Sequence, residues 1–152
     1  MKFNFKSSIL FLFFIILLSC NSNSTSKPNQ QITKISNKSS YGKQIEEIGI
    51  LKQEMIDYMN FSKPKYTMKE IENCEFILIE FINNIDKNTT KEEGMKMIQS
   101  TIFQLNELNK NCKYDLIETN ERERIAKIMI DTGYLKGYNS LNEDITEQWR
   151  EW

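Results

Sequence analysis

The chain has 152 residues, with 20 lysines and arginines against 21 aspartates and glutamates, a formal net charge of −1, and no histidine. Without histidine, the Ser-His-Asp and Cys-His arrangements of nucleophilic catalysis and nearly all catalytic zinc sites are excluded. The balanced charge argues against a nucleic acid partner, because phosphate contacts need a clustered basic surface.

Residues 1–19 have the composition of a secretory signal peptide. Lys2 and Lys6 form a basic start, and residues 9–18 form an unbroken apolar run that is followed by the small residue Ser19. This run spans about 15 Å as a helix, whereas the hydrocarbon core of a bilayer is roughly 30 Å thick. Residues 1–19 are therefore predicted to be a removable signal and not a transmembrane anchor.

The end of this segment, Leu17-Leu18-Ser19-Cys20, resembles the lipobox of bacterial lipoproteins. In that family the cysteine thiol is lipidated, commonly with chains such as palmitate, and the cysteine becomes the mature N-terminus. The resemblance implies a lipid anchor on Cys20 and a place in the cell envelope. Because Asn21 is not the aspartate associated with retention in the inner membrane, it also implies the periplasmic face of the outer membrane.

Residues 20–41 are rich in serine, asparagine and lysine and show no hydrophobic periodicity. Such a composition predicts a disordered tether. Twenty flexible residues have a root-mean-square span of about 25 Å. The folded domain is therefore predicted to comprise residues 42–152 and to float just off the membrane.

Two amphipathic helices are predicted in the first half of this domain, because apolar residues recur there at intervals of three and four. The first runs from about Lys43 to the residues before Pro64, since the residue before proline avoids the α region. The second begins at Thr67, which forms a capping box with Glu70. Residues 76–82 alone could also be a buried strand, but the capping box and the longer apolar stripe favour a helix.

Two further helices are predicted in the second half. Thr89 and Thr90 each precede a glutamate by three residues and so predict the start of the third helix, which residues 109–113 interrupt. The fourth begins near Asn120 and ends at Gly137, a residue typical of helix C-terminal caps. The predicted fold is an all-α bundle of about four amphipathic helices with a C-terminal tail.

Cys74 and Cys112 remain once Cys20 is lipidated, and a secreted chain meets an oxidising compartment. A disulfide between them is one interpretation. However, an antiparallel hairpin of the second and third helices would offset the two residues by roughly 13 Å, and a bridge needs Cα atoms about 4.4–6.8 Å apart. The alternative is that Cys74 is an ordinary small core residue.

The tail ends with Trp149, Arg150 and Trp152, which are candidates for binding a partner. If the tail is helical, both indoles lie on one face and could form an aromatic anchor, with Arg150 supplying polar contacts. The alternative is that the tail packs both indoles onto the bundle as part of its core.

Without histidine, an enzyme would have to work with carboxylates, lysine or tyrosine, and carboxylates could supply an acid–base pair. The sequence has no Cys-x-x-Cys motif, no glycine-rich phosphate loop and no calcium-loop spacing, and it predicts no catalytic residue, metal or cofactor. The acidic candidates in the second half of the chain are Glu118, Glu121, Glu123, Asp131, Glu143 and Asp144.

The domain resembles small all-helical bacterial families of unknown function and the immunity proteins of toxin systems, some of which are lipidated. Its size and the stretch 143–152 after a helical core carry this resemblance. It implies a binding protein without catalytic activity, an immunity protein or inhibitor, held at the membrane by Cys20 and contacting a protein partner. The alternatives are a structural or envelope-assembly lipoprotein and a carboxylate-based hydrolase.

Overall fold

The structure, a computed structural model, describes residues 40–88 and 90–152. These residues form the helices α1 (Gly42–Ser62), α2 (Met68–Ile85), α3 (Lys91–Asn111) and α4 (Thr119–Leu135), followed by a short 3-10 turn (Glu147–Trp149) and no strand. The predicted all-α bundle of four helices is confirmed. Within the same residues, no helix combines the length and the apolar character needed to cross a bilayer.

The four helices belong to one compact unit, residues 37–152. The predicted signal peptide, Cys20 and residues 20–39 of the predicted tether lie outside the described residues. Tyr41, the last residue of the predicted tether, is buried, and its hydroxyl donates to Asp86 Oδ1 at 2.6 Å. The packed structure therefore includes Tyr41, one residue before the predicted domain.

Capping boxes start α2 and α3 at the positions that the sequence indicates. The backbone N–H of Thr67 donates to Glu70 at 2.8 Å, and that of Thr90 donates to Glu93 at 3.1 Å. Because each box satisfies backbone donors that no helical carbonyl can reach, it fixes the first turn. The start of α4 lies slightly earlier than predicted, at Thr119 after Glu118.

Left-handed residues end α3 and α4. Gly137 has φ of 72°, and the N–H of Tyr138 donates to Gly133 O at 2.9 Å, the hydrogen bond of a Schellman motif. The predicted cap at Gly137 is thus in place. At the end of α3, Lys113 and Tyr114 take the same backbone region with φ of 59° and 63°, although neither is glycine.

Asn109 fixes the connection from α3 to α4. Its side-chain oxygen accepts hydrogen bonds from the N–H groups of Leu116 and Ile117 at 3.1 and 2.9 Å. Its amide nitrogen donates to Ile117 O at 3.4 Å. Since Asn109 is itself buried, these bonds satisfy buried polar groups that would otherwise be costly.

The helices pack in the order α4, α1, α2, α3, with α1 contacting both α4 and α2. The early residues of α1 lie beside the late residues of α4, so these two helices are antiparallel. α3 also contacts the 3-10 turn of the tail. Isoleucine and leucine dominate the core, whose most completely buried side chains include Ile71, Leu78, Ile85, Ile98, Ile102, Leu105 and Ile125.

Candidate functional site

A groove of about 490 Å³ lies between α1 and α4, and most of its lining is charged. Four of its side chains are glutamates and only two are basic. We call it the acidic groove. Its lining residues are Glu47, Glu54, Tyr58, Asn120, Glu121, Glu123, Arg124 and Lys127.

Arg124 ties the two walls of the acidic groove together. Its Nη2 and Nε atoms donate to the two carboxylate oxygens of Glu54 at 2.8 and 3.0 Å, and its Nη1 donates to Glu47. Burial acts to lower the pKa of Arg124, but the bonds to Glu54 and Glu47 outweigh it and raise that pKa. A bidentate arginine–carboxylate pair has a fixed geometry, so Arg124 holds α4 against α1.

The groove continues toward the start of α4 into a second depression of about 120 Å³, which shares Tyr58, Asn120 and Glu121 with it. This extension adds the carboxylates of Asp115 and Glu118 and the ring of Tyr66. Burial raises the pKa of the Tyr66 hydroxyl, and the nearby charge of Glu121 raises it further. The extension therefore increases the negative charge at this end of the α1–α4 pair.

Most carboxylates of the groove already have structural partners. Glu47 and Glu54 bind Arg124, and Glu121 Oε2 accepts the N–H of Glu118 at 3.2 Å. A general acid–base pair needs two carboxyl groups that are free to exchange a proton with a substrate. The arrangement is better suited to attracting a cationic group than to transferring protons.

The sequence identified Glu118, Glu121 and Glu123 as acidic candidates but not the α1 wall of the groove. Glu47, Glu54 and Tyr58 are spaced by seven and four residues, a spacing that places them on one face of a helix. That spacing was the signal from which the α1 wall of the groove could have been predicted. Glu54 and Glu47 pair with Arg124 of α4, which lies 70 and 77 positions further along the chain. A local sequence pattern does not reveal a contact over such a distance.

In residues 40–88 and 90–152, no group of three or more cysteines, aspartates or glutamates is placed so that it could hold a metal ion. Comparison with protein-family models, curated proteins and solved structures finds no significant match.

The predicted partner-binding tail is docked on α3. The side-chain nitrogen of Asn106 donates to Trp149 O at 2.8 Å, and its side-chain oxygen accepts the N–H of Glu151 at 3.2 Å. Trp149 and Trp152 are partly buried against the core. In the structure, therefore, both indoles pack on the bundle, which is the second of the two interpretations of the tail.

Arg150 belongs to the same docked segment. It forms an ion pair with Asp144 at 2.7 Å, and its guanidinium lies 5.4 Å from the ring centre of Trp152. The tail reaches this position through a single 3-10 turn followed by extended backbone, and not as a helix. A role of Trp149, Arg150 and Trp152 in binding a partner stays a prediction.

Cys74 and Cys112 are free, buried thiols, so the disulfide considered from the sequence is not formed in the structure. Burial raises the pKa of Cys74 to about 12, and the charges of Glu121 and Cys112 add to the shift. Burial also raises the pKa of Cys112, which caps the C-terminal end of α3. Both residues serve as small side chains of the core, the alternative that the sequence offered for Cys74.

Proposed function

We propose that the chain is a lipid-anchored binding protein of the cell envelope, without catalytic activity, and that it binds a basic segment of a protein partner in the acidic groove. The observation that carries this proposal is the charge of the groove and its extension. Two cations, Arg124 and Lys127, stand against a larger set of acids. That set is Glu47, Glu54, Asp115, Glu118, Glu121 and Glu123.

A segment rich in lysine and arginine is the complement of such a surface. The charge of Arg124 is engaged by Glu47 and Glu54, and Lys127 is paired with Asp131 at 2.7 Å, so neither cation offsets the remaining acids. Tyr58 is 42% exposed and offers a ring face on which a cation can lie. Complementary charge speeds association and selects the partner more than it adds raw affinity.

The lipid anchor and the envelope location follow from the lipobox resemblance at Cys20. Immunity proteins and inhibitors act by covering a partner, and an interface of standard size buries about 800 Å² on each side. The acidic groove would form the centre of such an interface. A carboxylate hydrolase has less support, because Glu47, Glu54 and Glu121 are occupied in holding the fold.

The binding proposal is tested by titrating the domain, residues 37–152, with a ten-residue peptide of alternating lysine and glycine, followed by NMR of the backbone amides. We expect shifts confined to residues 47–58 and 115–127. The E123K variant should weaken binding about tenfold, since it reverses one charge at the groove. E107K is the matched control, because Glu107 is an exposed glutamate of α3 outside the groove.

Equal binding by E123K and the unaltered domain, or shifts centred on α2 and α3, would contradict the proposal. Raising the salt concentration should weaken binding, because exposed charges are screened beyond about 8 Å at physiological ionic strength. The anchor is tested separately, by feeding cells labelled palmitate. The full chain should incorporate the label, and C20A should not.

A further inference from the structure

An exposed apolar patch lies at the end of the α1–α4 pair opposite to the extension of the acidic groove. Tyr134, Leu135 and Leu141 are 49%, 50% and 53% exposed, and together they line a shallow depression of about 350 Å³. We call these three residues the apolar patch. Large side chains left half in water in one cluster mark a contact surface more often than isolated exposed residues do.

The patch lies where the chain enters the bundle from its N-terminal side. Lys43 and Gln44, in the first turn of α1, line the same depression as the last residues of α4. The predicted lipidation site, Cys20, precedes the first residue of α1 by 22 positions. If Cys20 is anchored in a membrane, the connecting segment therefore enters the bundle at this end, and this end is the one held near the membrane.

The charges around the patch differ in sign from those at the other end. Lys43 and Lys127 are exposed on its rim, and the facing acid, Asp131, is paired with Lys127. From Lys43 to Tyr58 in the acidic groove, α1 advances about 22 Å. The α1–α4 pair thus has an apolar end with lysines and an acidic end.

We propose that the apolar patch rests on the surface of a bilayer that contains anionic lipids, with Lys43 and Lys127 against the headgroups and the extension of the acidic groove, at the start of α4, turned away from the membrane. This inference rests on the lipid anchor of the proposed function. It revises the expectation that the domain floats free of the membrane on its tether.

The chemistry of the patch fits a lipid surface. Tyrosine is enriched at membrane interfaces, where its ring is partly buried and its hydroxyl stays wet. Lysine can lay its aliphatic stem along apolar surface while its ammonium reaches the headgroups. A tether also raises the local concentration into the millimolar range, so a patch of three side chains suffices to hold the domain in one orientation.

The test attaches residues 37–152 to vesicles through an N-terminal polyhistidine tag and a nickel-chelating lipid. The chain has no histidine of its own, so the tag is the only such attachment point. Hydrogen exchange is then compared between vesicles with 30% phosphatidylglycerol and vesicles of phosphatidylcholine alone. We expect exchange in residues 134–142 to slow about fivefold on the anionic vesicles, which is the factor that one lysine near the surface contributes, because the charge of Lys127 is already engaged by Asp131.

Two pairs of variants distinguish binding through the apolar patch from nonspecific adsorption to the vesicles. L135S/L141S should lose the protection, whereas F76S should keep it, because Phe76 is 62% exposed on α2 and does not line the patch. K43Q/K127Q should reduce the protection, whereas K96Q should not. Lys96 is the matched control for Lys127, since both are exposed lysines in i,i+4 ion pairs.

Three outcomes would overturn the inference: no slowing in the unaltered domain, slowing that persists in L135S/L141S, or slowing centred on Phe76. Because the tag replaces the lipid, the result does not depend on the state of Cys20. If residues 134–142 are protected but palmitate is not incorporated, the proposed membrane-binding face is supported and the proposed lipid anchor is contradicted.

Discussion

Gly94 is the residue whose smallness the packing requires most directly. A Cβ atom built on it would lie 2.1 Å from Cε2 of Tyr138, which is far closer than such atoms approach in proteins. Tyr138 is buried, so its ring has little room to move away. The contact joins the first turn of α3 to the residue whose N–H closes the Schellman motif at the end of α4.

We predict that G94A lowers the free energy of unfolding by about 1–3 kcal/mol, the usual cost of overpacking a core. G49A is the control, because a Cβ at Gly49 in α1 meets nothing within 4 Å. It should stabilise the domain by about 0.5–1 kcal/mol through helix propensity. Urea unfolding of both variants measures the difference, and equal effects would contradict the packing argument.

The tail is the element whose position depends most on single polar groups. Asp144 accepts hydrogen bonds from the hydroxyl and the N–H of Thr146 at 2.5 and 2.9 Å and pairs with Arg150. Burial acts to raise the pKa of Asp144, but the bonds from Thr146 and the charge of Arg150 outweigh it and lower that pKa. The carboxylate form is therefore favoured in the folded chain.

From this we predict that lowering the pH weakens the docking of the tail on α3. A group with a lowered pKa in the folded state stabilises the fold above its unfolded pKa of about 3.9, and this contribution is lost as the pH falls from there through the folded value. Emission of Trp149 and Trp152, the only two tryptophans of the chain, should shift to the red in that range. D144N should weaken this acid response, and E143Q should leave it unchanged.

The same element marks the limit of what the sequence could predict. Helices α1 to α4 follow from apolar periodicity, capping boxes and Gly137, all of which act within a few residues of each other. The docked tail depends on Asn106, 43 positions before Trp149, and a polar residue on a helix gives no sign of its distant partner. The acidic groove escaped prediction for the same reason, since Arg124 joins it to α1 across at least 70 positions.

At the scale of the whole molecule, the buried core residues of the described part extend along the sequence from Tyr41 to Ile145. We predict that the fragment 37–152 unfolds in one transition at the same temperature as residues 20–152 carrying C20A, within about 2 °C. Starting the fragment at Lys43 removes the ring of Tyr41 and its bond to Asp86. Calorimetry should then show a loss of about 3–5 kcal/mol of stability, as for other buried aromatic residues.

The packing of α1 against α4 also sets the order in which the molecule can fold. α1 is the first of the four helices to be synthesised, and α4 is the last. Two neighbours as distant in the chain as these cannot pair until residue 135 has left the ribosome or a translocation pore. The contacts between α1 and α4, including the ion pairs of Arg124 with Glu47 and Glu54, are therefore the last contacts between the four helices that a growing chain can complete.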